Sequence, residues 1–286
     1  MPVHPDNKEI PKRYKMSQRG TSCANLYAAA VRNDRRVFAF TLAEVLITLV
    51  IIGVIAALTI PNLMQSWRKH ERITQIKTAY SIIQNAIKLS IAENGNPDGW
   101  DFEWGPDAAK KYILPYLKIQ YECGSGTMQK DVLSKGCFKD NNRNGTWYYL
   151  NGDLGDGGTG YGPTYYYTVK LQNGMDLGIW ATERKNQGNH AYRGKRIDFA
   201  FDVNGAQGPT KAGVDVFVLS VYPNNNKVVT GSPWNMQAST NWQAMLTTTY
   251  NAGCGLNAND FSGMGCARVI ELNGWNFPDN YPVKKF

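Results

Sequence analysis

The hydrophobic pattern of this chain changes its rule twice. From Val37 to Ile60 almost every position is apolar, and Glu44 is the single charge in 24 residues. No polar stripe interrupts the run, so it does not read as a surface amphipathic helix. About 20 helical residues at 1.5 Å each cross a hydrocarbon core of roughly 30 Å. The run is also longer than a signal-peptide core of about 7–15 residues. The pattern therefore predicts a membrane-spanning helix over 40–60. From Pro61 the spacing turns amphipathic: Ile73, Ile76, Tyr80, Ile83, Ile87 and Ile91 recur at threes and fours, with Lys77, Gln84 and Lys88 between them. This stem helix, 61–92, is expected to stop at Glu93-Asn94-Gly95-Asn96-Pro97. One helix over 40–92 would be roughly 80 Å long. Gly53 and Pro61 are places where it can bend or melt.

Residues 93–286 read as a separate α+β head. Pro106–Leu117 predicts a short helix. Strand-like runs follow at Trp147–Leu150, Tyr165–Leu171, Leu177–Trp180, Ile197–Val203, Val214–Val221 and Arg268–Leu272, joined by Gly, Asn, Asp and Pro turns. Gly152–Gly162 holds six glycines in eleven residues and must be a loop. The expected architecture is an antiparallel sheet resting on the long helix.

Composition changes this picture little. Aromatics at 12% exclude a disordered chain. The net charge of +8 resembles a nucleic-acid signal, but residues 1–39 hold eight Lys/Arg against three Asp/Glu, so the other 247 residues carry only +3. Arg32, Arg35 and Arg36 precede the apolar run, which puts the N-terminus in the cytoplasm by the positive-inside tendency. Arg68, Lys69 and Arg72 follow the run and make that asymmetry modest. Glu44 is the anomaly, because a carboxylate in a bilayer costs about 2.5–3.5 kcal/mol and needs a partner or a purpose. Snorkelling to the nearby interface is the bland alternative.

The string Ala39-Phe40-Thr41-Leu42-Ala43-Glu44-Val45-Leu46-Ile47-Thr48-Leu49 resembles the N-terminal motif of type IV prepilins and type II secretion pseudopilins. In that family a short basic leader ends in a small residue, Phe becomes the new N-terminus, and the fifth mature residue is Glu. A cut after Ala39 makes Glu44 fifth, Gly53 fourteenth and Pro61 twenty-second. The chain departs from the pattern at Ala39, where Gly is usual, and in its 39-residue leader, inside which Met16 is an alternative start. The resemblance implies cleavage between Ala39 and Phe40 by a prepilin peptidase, N-methylation of Phe40, and pairing of Glu44 with the Phe40 amine of a neighbouring subunit. Implied partners are further copies of the chain, other pilins or pseudopilins and an inner-membrane assembly platform. The head would then be periplasmic or part of an extracellular filament. The alternative is a singly anchored surface module that binds carbohydrate or DNA.

With Cys23 lost in the leader, Cys123, Cys137, Cys254 and Cys266 remain. They form two close pairs, and pairing within each is the simplest of three connectivities. Metal binding by these cysteines would need tighter spacing. Two loops are candidate calcium sites. Asp140-Asn141-Asn142-Arg143-Asn144-Gly145 opens like an EF-hand but has Asn151 at the twelfth place instead of Glu. Asp202, Asn204 and Asp215 lie on a turn that looks like the calcium loop of major pseudopilins, although Asp, Asn and Gly also make turns without any metal. No catalytic motif is present, and His190 is the head's single histidine. Trp234, Trp242 and Trp275 are read as core packing before sugar stacking. Lys195, Arg196 and Tyr192 are the weak candidates for DNA contact. A structural subunit is expected, not an enzyme.

Overall fold

The computed structural model describes residues 40–102, 105–125, 136–138, 147–153, 166–184, 194–222, 227–231, 241–247, 253–257, 261–283 and 286. The chain divides into two compact units, Met1–Ile52 and Gly53–Phe286.

A single helix, α1 (Leu42–Asn94), carries both the apolar run and the stem, with Pro61 inside it. It is long and apolar enough to cross a membrane: its best 18-residue window has a mean hydropathy of 2.6, and none of that window is buried. The helix ends where expected. Gly95 adopts a left-handed φ of 75° and donates its N–H to Ile91 O at 3.0 Å, which closes the last turn.

Within the second unit the stem buries one stripe, Ile73, Ile76, Ala79, Ile83, Ala86, Ile87 and Ser90. That spacing lays the stripe along one helix face. It packs on a six-stranded antiparallel sheet formed among the described residues: β1 (Ile119–Ser125), β2 (Tyr167–Leu171), β3 (Asp176–Arg184), β4 (Gly194–Asp202), β5 (Val216–Tyr222) and β6 (Lys227–Thr230). The spatial order equals the chain order, a plain meander. Period-two alternation sorts the two faces. Leu177, Ile179, Ala181, Ile197, Phe199, Phe201, Phe217, Leu219 and Val221 join the stem's isoleucines in one core. Ala200, Val216 and Val218 point the other way and form a second cluster with Phe138, Trp147 and Tyr166. Burying each large aliphatic or aromatic side chain stabilises the head by about 1.5–3 kcal/mol.

The α+β expectation holds, with corrections in detail. The helix expected at Pro106–Leu117 is α2 (Gly105–Tyr112) followed by a 3-10 turn at Leu114–Tyr116. Arg268–Leu272, read as a strand, is instead α4 (Cys266–Leu272), a short helix whose Val269 and Ile270 are fully buried. Trp147–Leu150 is not a strand; Tyr148 makes only an isolated bridge to Lys211. The pattern also missed the edge strands β1 and β6 and the helix α3 (Trp242–Thr247).

Candidate functional site

Ala39 lies outside the described residues, and Phe40 is 81% exposed. Immediately after it, Thr41 and Glu44 cap α1 reciprocally. Thr41 N–H and Oγ1 donate to Glu44 Oε2 at 2.9 and 3.0 Å, and Glu44 N–H donates to Thr41 Oγ1 at 3.2 Å. This is a capping box, in which a Thr and a Glu three residues on satisfy each other's orphan helix-end donors. Glu44 thus has polar company on its own chain that charge spacing alone did not disclose. The T-x-x-E signal was in the sequence. Further along, Thr48 Oγ1 donates to Val45 O and Thr59 Oγ1 to Ile55 O, both at 2.9 Å. These bonds hide hydroxyls that lipid cannot satisfy. Around them Leu46, Ile47, Leu49, Val50, Ile51 and Ile52 are all more than half exposed.

In the head, the structure joins Cys123 to Cys137 and Cys254 to Cys266. The two bridges sit in different cores: Cys123–Cys137 lies under the second sheet face, and Cys254–Cys266 ties α4 into the stem-side core.

Asp202, Asn204 and Asp215 are brought together at one end of the second sheet face. Asp202 ends β4 opposite Asp176, which opens β3. Asp176, Asp202 and Asp215 are fully buried. Lys170 forms an ion pair with Asp176, whose Oδ2 also accepts the Phe138 N–H at 2.7 Å. Asp215 accepts the backbone N–H groups of Thr210 and Lys211 at 3.0 and 2.5 Å. Asp202 takes only a long bond, 3.3 Å, from the Asn204 N–H. Asp202 Oδ2 and Asn204 Oδ1 are buried with no hydrogen-bond partner. Burial, then the negative charges of Asp215 and Asp176, push the Asp202 carboxyl well above the ordinary carboxylate range. Burial also raises Asp215, opposed by its two backbone donors and by Arg72 of the stem. Gly205 is required here, at φ 60°, because a Cβ would meet Gly174 O at 2.5 Å.

Two buried oxygens without donors suit a hard cation. Even so, the described residues contain no group of three or more His, Cys, Asp or Glu spaced to hold a metal. A calcium ion takes roughly six to eight oxygens, so this loop would have to add backbone carbonyls and water. The Asp140 loop and His190 lie outside the described residues.

Arg196, a candidate DNA contact, is instead 2% exposed, paired with Asp198 at 3.0 Å and set over the Trp180 ring at 5.0 Å. Lys195 Nζ donates to Asp98 O and Trp100 O at 2.7 and 2.6 Å. Both cations are used within the head, and Tyr192 and Trp234 lie outside the described residues. Trp242 and Trp275 pack on the stem-side core. Sequence reading missed the Arg196–Asp198 and Lys170–Asp176 pairs, since alternation marks a face but not what covers it.

An exposed apolar helix that starts in a Thr–Glu cap and continues into a packed stem is the layout expected of a type IV pilin or pseudopilin, and the motif at its start supports that class. Residues 34–60 accordingly match the prokaryotic N-terminal methylation motif. Residues 62–285 match the family of unknown function DUF6613, and the chain belongs to that family. No curated protein and no solved structure matches it.

Proposed function

We propose that the chain is a structural subunit of a type IV pilus-like or type II secretion filament. In this reading a prepilin peptidase cuts between Ala39 and Phe40 and methylates the Phe40 amine. The 40–60 segment anchors the subunit in the inner membrane with its N-terminus cytoplasmic and its 93–286 head outside. The anchor then slides into a helical core made of further copies and of other pilins or pseudopilins. The observation that supports this most directly is the single carboxylate in an exposed apolar helix. Glu44 engages Thr41 through Oε2 alone, leaving Oε1 without a partner among the described residues. A neighbour's terminal amine would supply the cation that a carboxylate in lipid needs. Gly53 and Pro61 would let the helix adjust as it packs. At the head, calcium bound by Asp202, Asn204 and Asp215 is a secondary proposal, supported by the two orphaned oxygens.

N-terminal sequencing and intact mass of the chain recovered from cells test the reading, with N-methyl-Phe40 as the expected first residue. A recovered chain that still begins upstream of Phe40 and does not associate with itself would overturn it. Crosslinking through the 45–60 helix should capture a second subunit, whereas a singly anchored binding module would give none. Glu44→Ala is expected to insert normally but to enter filaments roughly a hundredfold less well, the equivalent of the ~3 kcal/mol penalty for an intramembrane charge.

A further inference from the structure

Lys170 and Asp176 face each other directly across β2 and β3. Their neighbours Val169, Leu171 and Leu177 belong to the stem-side core, so strand alternation turns the charged pair to the second sheet face. There Lys170 is 8% exposed and Asp176 0%. Lys170 Nζ touches Asp176 Oδ1, while Oδ2 accepts the Phe138 N–H at 2.7 Å. The backbone at Gly205 closes over the amine, since a Cβ built there would stand 3.1 Å from Nζ. Arg196 and Asp198 form a comparable buried pair on the same face, at 3.0 Å. A guanidinium stays protonated in proteins, however, whereas a lysine amine can lose its proton and act as a nucleophile.

Taking an ammonium and a carboxylate out of water is costly, and their mutual attraction offsets that cost only in part. An amide made from the same atoms has no charge to desolvate. The geometry for making it is in place. An atom in contact with a carboxyl oxygen is at most one C–O bond further from the carboxyl carbon, which is the range of a near-attack pair. The Phe138 N–H is aimed at the oxygen on which charge develops when nitrogen adds to that carbon, as in an oxyanion hole. Asp202 stands directly across from Asp176 in β4, and its Oδ2 has no hydrogen-bond partner. A second carboxyl is therefore at hand to carry a proton.

We propose that Lys170 and Asp176 condense to an intramolecular isopeptide bond, a covalent cross-link between β2 and β3 that the folded head makes by itself. One proton first passes from Nζ to Asp176 Oδ1, giving a neutral amine and a carboxylic acid. The Nζ lone pair adds to Cγ, and Oδ2 takes the negative charge under the Phe138 N–H. Nζ then gives up a second proton, Asp202 relays it to Oδ1, and the Cγ–Oδ1 bond breaks. Water leaves with both protons, Oδ2 becomes the amide carbonyl oxygen, and Nζ keeps one hydrogen. Nothing is oxidised or reduced, and no co-reactant is consumed. The product ties the β2–β3 hairpin permanently and removes a charge pair from the interior. The cross-link is independent of how, or whether, the chain assembles into a filament.

The test is mass spectrometry of the full chain, purified folded and then denatured with its disulfides reduced. Nearly every molecule should be lighter than its sequence requires by one water. Trypsin should leave the Lys170–Leu171 bond uncut, because an acylated lysine is not a cleavage site. Residues 144–184, which hold no other Lys or Arg before Arg184, should then appear as one peptide lacking that water. Its fragmentation should yield no ions from breaks between 170 and 176, where the cross-link holds the pieces together. Lys170→Arg keeps the cation but cannot form the amide, and it should show the full mass and be cut at position 170. If that variant does not fold, the wild-type digest decides alone. A folded wild-type chain of full mass would overturn the proposal. So would a missing water accompanied by ordinary cleavage at Lys170, the sign of a succinimide at an aspartate instead.

Discussion

The two parts of α1 are built by opposite rules. Over 42–63 the large apolar side chains are mostly more than half exposed, whereas Ile76, Ile83 and Ile87 are at most 2% exposed. The stem's isoleucines have a sheet of the same chain to cover them. The upper residues have none among the described ones, and an apolar surface of that length suits lipid or other helices. Helix formation is therefore no guide to which part supplies stability and which supplies assembly; exposure is.

That contrast can be broken most sharply by paired truncations. Ile83→Ala should destabilise the head by about 4 kcal/mol, because it opens a cavity between stem and sheet, and lower Tm by about 10 °C. Ile51→Ala in the same detergent should leave Tm unchanged within error. A comparable loss from Ile51→Ala would mean that the upper segment folds back on the head.

A smaller effect concerns the buried acid cluster. Because the Asp202 carboxyl is raised in the folded state, the folded head binds more protons than the unfolded chain above about pH 4. Its stability in a chelator should then fall as pH rises towards neutrality. Asp202→Asn should flatten that decline. Calcium should restore stability at neutral pH in the wild type and not in the variant, read by thermal melts with and without chelator. A melt indifferent to calcium at both pH values would remove the metal proposal while leaving the fold untouched.

The smallest effect expected is at the cap. Thr41→Ala removes the reciprocal bonds to Glu44 and should cost about 1 kcal/mol of local helix stability. Hydrogen exchange of the first turn of α1 should speed up severalfold, with the stem unaffected.

How far the sequence could be read follows from the same physics. The stem was legible because five isoleucines and a tyrosine keep helical spacing, and β4 and β5 because Ile197, Phe199, Phe201, Phe217 and Leu219 alternate cleanly. The segment Arg268–Leu272 misled because a five-residue apolar stretch fits strand or helix equally well, and burial of Val269 and Ile270 under the Cys254–Cys266 bridge decides for helix. β1 was invisible because Tyr121 and its neighbours lie at an exposed edge, with Cys123 its one fully buried side chain. At the acid cluster, the turn residues pointed to Asp202, Asn204 and Asp215. Asp176 and Lys170, which share the site, come from strands whose register only the folded sheet reveals.

The meander has a kinetic implication. Each strand hydrogen-bonds to the strands immediately before and after it in the chain, and the two disulfides close loops of 14 and 12 residues. Most of the head can therefore knit together from near neighbours, without waiting for distant partners. What must come last is the return of the C-terminal quarter to the stem, where Tyr80 meets Val228 and Trp275. Docking of that quarter completes the core and closes the wall beside Lys77 in one event, so a head that has not yet received it lacks a finished stem-side core.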